Sequence, residues 1–319
     1  MPSTFTHYLL ANRVYDKLLN NEDKYKDLML KFNDNITSNE IFNEINQSLF
    51  LWGAQGPDYL FMISVMPWSK QKHLRGYGSR LHSIPPSITL ENIRNIVKEL
   101  DSASLFYAMG FVCHYALDSI THPFIKYRSV IYKYKIKHSN DSTTHAFIET
   151  NIDNIVLLKE KNMLPIELSI DDVLPVNEAV KNTIPRIYVP LIKKLFGKSN
   201  MKDDEIENVL KQIVLRYKNA LIISKDETLL KKQVVKFFEN KLRLPPYFSS
   251  YIRGFTEDKG FDFANLNHDN WSWPVNSKKI YNDSFLDLFY KAYDKSVEII
   301  DGFLLGEPMK KLTKDKPFI

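Results

Sequence analysis

Cysteine is almost absent from this sequence. Cys113 is the only one among the 319 residues, so no disulfide bond can form within the chain. It stands beside His114, but adjacent positions of a helix point about 100° apart. We therefore interpret Cys113 as a small buried apolar residue rather than as a metal ligand.

Long apolar runs are absent as well. None reaches the roughly 18 consecutive residues that a membrane-spanning helix requires. The amino-terminal residues also lack the basic region, apolar core and small-residue cleavage site of a secretory leader. We therefore expect a cytoplasmic protein with no transmembrane segment. The net charge of +5 is too small to indicate a partner by itself.

Glycine is scarce too, and helical periodicity is what the sequence has instead. Only 10 glycines are present, while 44% of the residues are apolar, enough for a substantial core. Apolar residues recur at intervals of three and four, which predicts an all-α fold. The clearest predicted helices are Glu40 to Trp52, Ser104 to Thr121, Thr144 to Glu160, Asp204 to Ile223, Thr228 to Leu242 and Ser284 to Leu305. Prolines are expected to separate the helices, at Pro85, Pro86, Pro165, Pro175, Pro185, Pro190, Pro245 and Pro246.

Histidine is concentrated in one part of the chain, because seven of the eight histidines lie in the first 150 residues. His114 and Asp118 are four residues apart in an apolar helical run and therefore share a helix face. His122 follows after four more residues. Pro123 comes next and predicts that the helix ends there.

A second pair, His145 and Glu149, repeats the spacing of four, and Asp141 or Ser142 can cap the start of its helix. Imidazole and carboxylate together form a ligand set that suits zinc. The alternative is that each pair is only a surface ion pair. Two such pairs within 36 residues, one of them in a strongly apolar helix, favour a metal site.

Three further candidates stand apart from these pairs. Asp58 follows Gly56 and Pro57 in a turn that breaks the preceding helix, which fixes the position of its carboxylate. His82 follows a glycine-bearing loop, and His7 lies at the start of the first predicted helix. Taken singly, each has a simpler interpretation: a helix cap, a loop histidine and a histidine at the edge of the core.

The ordered set resembles the zinc-dependent phospholipase C family, which is related to the single-strand-specific zinc nucleases. The resemblance covers roughly residues 1 to 160. Its specificity lies in the order of the whole set rather than in any one motif. The residues that carry it are His7, Asp58, His82, His114, Asp118, His122, His145 and Glu149.

The resemblance implies a centre of three zinc ions. The first ion would be held by the group Asp58, His82, His114 and Asp118. The isolated ion would be held by the group His122, His145 and Glu149. The third would be held by His7 and a bridging Asp118, and in secreted relatives an amino-terminal tryptophan completes that site. This chain begins Met1-Pro2-Ser3, so we expect two or three zinc ions.

Such a centre hydrolyses phosphodiesters, and the resemblance implies that Asp58 acts as ligand, general base or both. The expected substrate is a phospholipid or a related phosphodiester. One alternative is a nuclease or nucleotidase with the same centre. The other is a non-catalytic relative that keeps the metal sites for binding or structure. A further departure from the family is that His122 directly precedes Pro123, whereas the relatives place this ligand slightly later.

The segment from Lys126 to His138 alternates basic with aromatic or apolar residues. Alternation with a period of two predicts an extended segment, with lysines on one side and Tyr132, Tyr134 and Ile136 on the other. Beside a metal centre, this segment would suit contact with a peripheral membrane surface or, less favoured, a strand of nucleic acid. The simpler interpretation is a solvated lysine face over packed aromatic rings. The sequence does not indicate an oligomeric state.

We expect one multi-helix globular fold in two functional portions. Residues 1–160 form the metal-binding catalytic core, and residues 161–319 form a helical C-terminal portion packed on that core as one domain. The second portion has one conspicuous stretch, Asn267 to Pro274, which contains two tryptophans. We interpret it as a loop anchored by buried indoles, with a substrate wall as the alternative.

Overall fold

The computed structural model describes residues 4–36, 41–62, 76–197, 202–254 and 260–318. In these ranges the chain is helical, and its only β-pairings are two isolated bridges, Lys225 with Arg253 and Trp271 with Tyr281. The predicted all-α fold is confirmed. Among the described helices, none combines the length and the apolar composition needed to cross a membrane.

Thirteen α-helices and three short 3-10 helices are formed by the described residues. The α-helices are α1 (Thr4–Leu19), α2 (Glu22–Phe32), α3 (Glu44–Ala54), α4 (Tyr77–Ser83), α5 (Pro86–Val97), α6 (Ser102–Tyr132), α7 (Asp141–Lys161), α8 (Ile170–Val173), α9 (Glu178–Phe196), α10 (Asp203–Ser224), α11 (Lys231–Lys241), α12 (Phe285–Leu304) and α13 (Met309–Thr313). The 3-10 helices are Asp58–Phe61, Lys133–Lys135 and Ser249–Tyr251.

The chain divides into two compact units, each built from separate segments. Unit 1 comprises Met1–Leu9, Ile120–Val173 and Ala220–Lys291, and unit 2 comprises Leu10–Ser119, Leu174–Asn219 and Ala292–Ile319. Both units therefore take residues from both sides of residue 160. The functional division at residue 160 stays a prediction.

In unit 2, helices α3 and α6 cross in direct backbone contact. A Cβ atom on Gly53 would lie 2.0 Å from the carbonyl oxygen of Tyr107, and one on Gly110 would lie 2.0 Å from that of Phe50. Neither position therefore has room for a methyl group. This crossing sets the distance between α6 and the turn that follows α3.

A chain of buried tyrosines then fixes that turn. The hydroxyls of Tyr59 and Tyr107 lie 3.3 Å apart, and the Tyr107 hydroxyl donates to that of Tyr188 at 3.1 Å. Tyr188 in turn donates to the carbonyl oxygen of Gly56 at 3.1 Å. Burial raises the pKa of all three tyrosines, so they remain neutral donors. The backbone before Asp58 is thus held by hydrogen bonds from the core.

In unit 1, the start of α1 is held by a buried ion pair. The carboxylate of Asp153, on α7, accepts hydrogen bonds from the backbone amides of Phe5 and Thr6 at 3.3 and 2.9 Å. These amides belong to the first turn of α1, where helix amides have no partner within the helix. Arg253 lies 3.2 Å from the same carboxylate and stacks over the ring of Phe5. Burial raises the pKa of the Asp153 carboxyl, and Arg253 and the Thr6 donors oppose that shift.

The predicted breaks at three prolines were wrong. Pro123 lies inside α6, and Pro185 and Pro190 lie inside α9. A proline inside a helix costs about 3 kcal/mol. Full burial of Phe124 and Ile125, at about 1.5–3 kcal/mol each, offsets that cost in α6. The other predicted prolines lie between helices or, for Pro86, at the first helical position.

The predicted extended segment between the ligand helices was also wrong. Helix α6 continues to Tyr132, and Lys133–Lys135 form a 3-10 helix. Tyr132 is buried against Phe147, with ring centroids 5.5 Å apart, whereas Tyr134 is 92% exposed. The two tyrosines therefore do not share a face, because tertiary packing of Tyr132 overrides the local alternation.

Smaller corrections concern where the predicted helices begin. The N-cap of α7 is Asn140, which forms a capping box with Thr143, and not Asp141 or Ser142. The predicted start of the second helix, at Glu40, lies outside the described residues.

In the tryptophan-bearing stretch, Trp271 is buried and Trp273 is half-buried, so one indole anchors that loop fully. Cys113 is fully buried, as predicted.

We predict that Gly110→Ala destabilises the protein although alanine is the better helix former. The added methyl group has no space against the carbonyl oxygen of Phe50, and overpacking of this kind costs about 1–3 kcal/mol. Urea unfolding measures the loss. Gly254→Ala is the control, because its added Cβ has its nearest neighbour at 3.7 Å. Equal stability of the two variants would contradict the close crossing.

We predict that Asp153→Ala lowers the free energy of unfolding by about 3–5 kcal/mol, because it leaves Arg253 buried without its carboxylate. The double variant Asp153→Leu with Arg253→Met should recover part of this loss, since no unpaired charge remains. Asp141→Ala is the control. It removes an exposed pair with Lys133 at 2.7 Å and should cost less than about 1 kcal/mol. A small effect at Asp153 would show that the buried pair does not anchor α1.

Candidate metal centre

The position of Asp58 is set by the turn that follows α3. Helix α3 ends at Ala54, and Gly56 adopts a left-handed conformation with φ of +53°. A Cβ on Gly56 would lie 2.2 Å from the ring of His114, so only glycine fits between the turn and that imidazole. Pro57 follows, and Asp58 begins a short 3-10 helix. The predicted break at Gly56 and Pro57 is confirmed.

Four predicted ligands of unit 2 come together, and we name Asp58, His82, His114 and Asp118 the Asp58 group. All four side chains are buried. Asp58 Oδ1 lies 3.2 Å from His82 Nε2, which lies 3.4 Å from His114 Nε2. Asp118 Oδ2 lies 3.2 Å from His114 Nε2 and 3.7 Å from His82 Nε2. Ligand atoms of Asp58, His82 and His114 thus all lie within 4.8 Å of one another, and Asp118 lies beside both imidazoles.

These separations match the spacing of ligand atoms around zinc. Zinc binds nitrogen and oxygen at about 2.0–2.2 Å in tetrahedral geometry, so neighbouring ligand atoms lie about 3.3–3.6 Å apart. The four distances in the Asp58 group, 3.2 to 3.7 Å, fall around that range. The donor set therefore fits zinc in both atom type and spacing.

The tautomer of His82 strengthens this fit. His82 Nδ1 lies 2.8 Å from the carbonyl oxygen of Gly78, which can only accept, so Nδ1 carries the proton. Nε2 of the neutral ring then directs a lone pair at the carboxylate oxygens of Asp58 and Asp118. Facing acceptors need a positive charge between them, which is either a second proton on the ring or a metal ion.

The pKa values of the metal-free group follow the same logic. Burial alone lowers the pKa of His82, but the hydrogen bond and charge of Asp58 and the charge of Asp118 raise it more, so the net shift is upward. Burial alone raises the pKa of Asp58, but the His82 hydrogen bond and the His114 charge hold it well below its usual range. The carboxylate is therefore ionised in a buried site.

His82 is a helical residue, and the segment before it, predicted as a glycine-bearing loop, belongs to the same helix from Tyr77 onward. Gly76, with φ of +89°, is the N-cap of α4, and His82 lies in the last turn of that helix. Phe61 stacks on the His82 ring with centroids 5.7 Å apart, and Phe318 contacts the same ring edge-on at 5.4 Å. Apolar rings on both sides limit the access of water to this imidazole.

Three predicted ligands of unit 1 form a second cluster, which we name the Glu149 group: His122, His145 and Glu149. Glu149 Oε1 lies 3.0 Å from His145 Nε2 and 3.6 Å from His122 Nε2. The two rings stack with centroids 5.5 Å apart. The His145 side chain is 26% exposed, so the cluster is open to solvent on that side.

Glu149 itself is fully enclosed. Its Oε2 atom is buried and has no hydrogen-bond partner within the described ranges. Burial raises the pKa of Glu149, but the charge of His145 and hydrogen bonds from His122 and His145 lower it to about 2. An ionised carboxylate with an unsatisfied buried oxygen indicates a place for a cation. Three protein ligands and an open side fit a zinc site that also holds water.

His7 lies on α1 in unit 1 and is buried. His7 directly follows Phe5 and Thr6, whose backbone amides donate to the Asp153 carboxylate. That carboxylate therefore fixes the backbone beside His7. Asp118 lies on α6 in unit 2. The joint site of His7 and Asp118 stays a prediction.

Sequence reasoning missed three residues that support these clusters. Asp153 had a detectable signal, because it lies four residues after Glu149 on the same face of α7. Arg253 and Phe318 had none, since each is distant in sequence from the residues it contacts.

One comparison with known proteins gives a match, to a family model. Residues 6–220 match the model of the family described as zinc dependent phospholipase C. No curated protein and no solved structure matches the chain. The family match covers more than half of the chain and includes all eight predicted ligands, the seven of the two clusters and His7. The chain therefore belongs to the zinc-dependent phospholipase C family.

Proposed function

We propose that the protein is a zinc-dependent phosphodiester hydrolase that uses the Asp58 group, the Glu149 group and His7 to bind two or three zinc ions. The convergence of the Asp58 group carries the proposal. Its carboxylates are buried at hydrogen-bond distance from imidazole nitrogens, an arrangement that needs a cation. The family match supports the choice of zinc and of a phosphodiester.

Bound zinc supplies Lewis acidity, which polarises a phosphate oxygen and lowers the pKa of water towards neutrality. Asp58 is the proposed general base as well as a ligand. Its depressed pKa keeps the carboxylate ionised at neutral pH, as a proton acceptor must be. The hydrogen bond from Tyr188 to the Gly56 carbonyl and the left-handed Gly56 hold the turn in place. A fixed carboxylate meets the geometric demand of general base catalysis.

The proposed substrate is a phospholipid, because the family is named for phospholipid cleavage. A nuclease or nucleotidase activity would use the same ligand set on a different phosphodiester. A non-catalytic relative would keep the zinc but not the turnover. Contact of residues 126–138 with a membrane surface stays a prediction, as does a cytoplasmic location.

We predict that elemental analysis finds two or three zinc ions per chain and that Glu149→Gln loses one of them. The substitution removes an anionic ligand from the Glu149 group and leaves the Asp58 group unchanged. Glu178→Gln is the control, because its exposed side chain pairs only with Lys181 and lies outside both clusters. A parent chain without zinc would refute the proposed function. An unchanged count in Glu149→Gln would refute the assignment of that ligand.

We predict that Asp58→Asn lowers kcat by about 10²–10⁴-fold, because the amide cannot accept the proton from water. Turnover is measured on a chromogenic phosphodiester, phosphatidylcholine and single-stranded DNA, with zinc counted in the same samples. Asp141→Asn, at an exposed carboxylate, is the control and should keep full activity.

The outcomes separate the candidate functions. Turnover of phosphatidylcholine that is lost in Asp58→Asn with zinc retained supports the proposal. Turnover of DNA alone would indicate the nuclease. Zinc without turnover of any substrate would indicate the non-catalytic relative.

A further inference from the structure

Helix α11 has its apolar residues on the outside. Five large apolar side chains on and beside this helix are each more than half exposed, and we name them the α11 face: Leu230, Val234, Phe237, Phe238 and Leu242. Leu230, Val234, Phe238 and Leu242 recur every four residues and Phe237 follows Val234 by three, so the five side chains form one stripe. The two buried residues of α11 are charged, Lys232 and Glu239. This is the reverse of the pattern of a helix that packs on a protein core.

The reversed orientation is held by polar contacts. Asp226 accepts hydrogen bonds from the backbone amides of Lys231 and Lys232 at 3.1 and 2.9 Å, which caps the first turn. At the other end, Glu239 accepts from the amide of Phe248 at 2.7 Å and from the amide and hydroxyl of Ser249. Turning the apolar stripe inward would break these bonds. The exposed stripe is therefore a fixed feature of unit 1.

The exposed apolar surface extends beyond the helix. Phe248, beside the Glu239 anchor, is 69% exposed, and Leu244 and Tyr247 are each close to half exposed. At the other end, Lys231 Nζ donates to the carbonyl oxygen of Ile223, whose side chain is 70% exposed. Adjacent apolar side chains of this number mark an interaction site rather than ordinary surface.

The exposed charges around the stripe are mostly positive. Lys236, Lys241 and Arg243 are exposed, whereas Glu239 is buried and the exposed Glu227 precedes the helix. A second copy of this surface would bring these cations together across a twofold interface, which is unfavourable. An anionic lipid surface would instead attract them. Phenylalanine and leucine on one stripe with lysine beside it is the composition of helices that lie in a membrane interface.

We propose that the α11 face and its basic residues form a docking surface for a membrane that contains anionic phospholipid. The apolar stripe enters the boundary between headgroups and acyl chains, and Lys236, Lys241 and Arg243 contact the lipid phosphates. The surface lies after residue 220 and so outside the residues that match the family. It does not include residues 126–138, for which membrane contact was predicted from the sequence.

The choice of a lipid membrane as the partner rests in part on the proposed phospholipid substrate. The binding measurement itself does not require turnover. The full chain is sedimented with vesicles of phosphatidylcholine and phosphatidylglycerol in equal parts, and with vesicles of phosphatidylcholine alone. We expect binding to the mixed vesicles that weakens with added salt. The double variant Phe237→Ser with Phe238→Ser should bind at least roughly tenfold more weakly. The triple variant Lys236→Gln, Lys241→Gln and Arg243→Gln should lose roughly fivefold for each charge.

Matched controls exclude a general effect of surface apolarity. Ile88→Ser with Leu215→Ser removes two apolar side chains of similar exposure from unit 2 and should bind as the parent does. Tyr134→Ser tests residues 126–138. All the substituted side chains are exposed, and thermal unfolding confirms that each variant folds.

Three results would overturn the inference. The first is that the parent does not bind the mixed vesicles. The second is that the phenylalanine double variant binds like the parent while Tyr134→Ser does not. The third is a dimer in solution that the phenylalanine double variant dissociates, since a second copy then covers the surface. Zinc-dependent hydrolysis of a soluble phosphodiester by the double variant reports the proposed function separately. Vesicle binding in a protein without turnover would support this inference and refute only the activity.

Discussion

A carboxylate in the interior of a protein must meet a positive charge, and this requirement organises both candidate clusters. Asp58, Asp118 and Glu149 are all less than a tenth exposed, and their nearest charged neighbours are imidazoles. The surrounding structure brings these groups together closely. The backbone contact of α3 with α6 at Gly53 and Gly110 leaves no space for a side chain, and Gly56 leaves none beside His114. The cost of this convergence in the absence of a cation is the strongest physical reason to expect metal.

A neighbouring carboxylate shows the alternative solution. Asp153 lies one helical turn after Glu149 on α7 and is just as buried, yet it pairs with Arg253 and accepts three hydrogen bonds from Phe5 and Thr6. Within the described part of the chain, the protein thus gives Asp153 an arginine and hydrogen-bond donors, and gives Glu149 two imidazoles. Asp153 and Glu149 lie on the same helix and are equally buried, so they differ only in the groups that contact their carboxylates. Asp153 is a structural anchor, and Glu149 is the candidate ligand.

Local spacing was sufficient to predict most of the helices and to place two pairs of candidate ligands side by side, because residues four apart on one helix are brought together by helix geometry alone. His114 with Asp118 and His145 with Glu149 are such pairs. Arg253 and Phe318 could not be found this way, since their contacts join residues a hundred or more positions apart. The predicted helix end at Pro123 was wrong for a related reason. Burial of Phe124 and Ile125 is a tertiary effect, and it decides that the helix continues.

The α11 face and the Glu149 group are connected within unit 1 through α7. Lys232, on the inner side of α11, lies over the ring of Phe147 at 5.2 Å, and Phe147 stands between His145 and Glu149 in sequence. The segment after α11 is tied to the same helix, because Thr150 donates to the carbonyl oxygen of Ser250 at 2.9 Å. Lys232 and the segment after α11 therefore attach the α11 face to α7, the helix that carries His145 and Glu149. A membrane held on the stripe would be held at a fixed position relative to Glu149, since both belong to one packed unit.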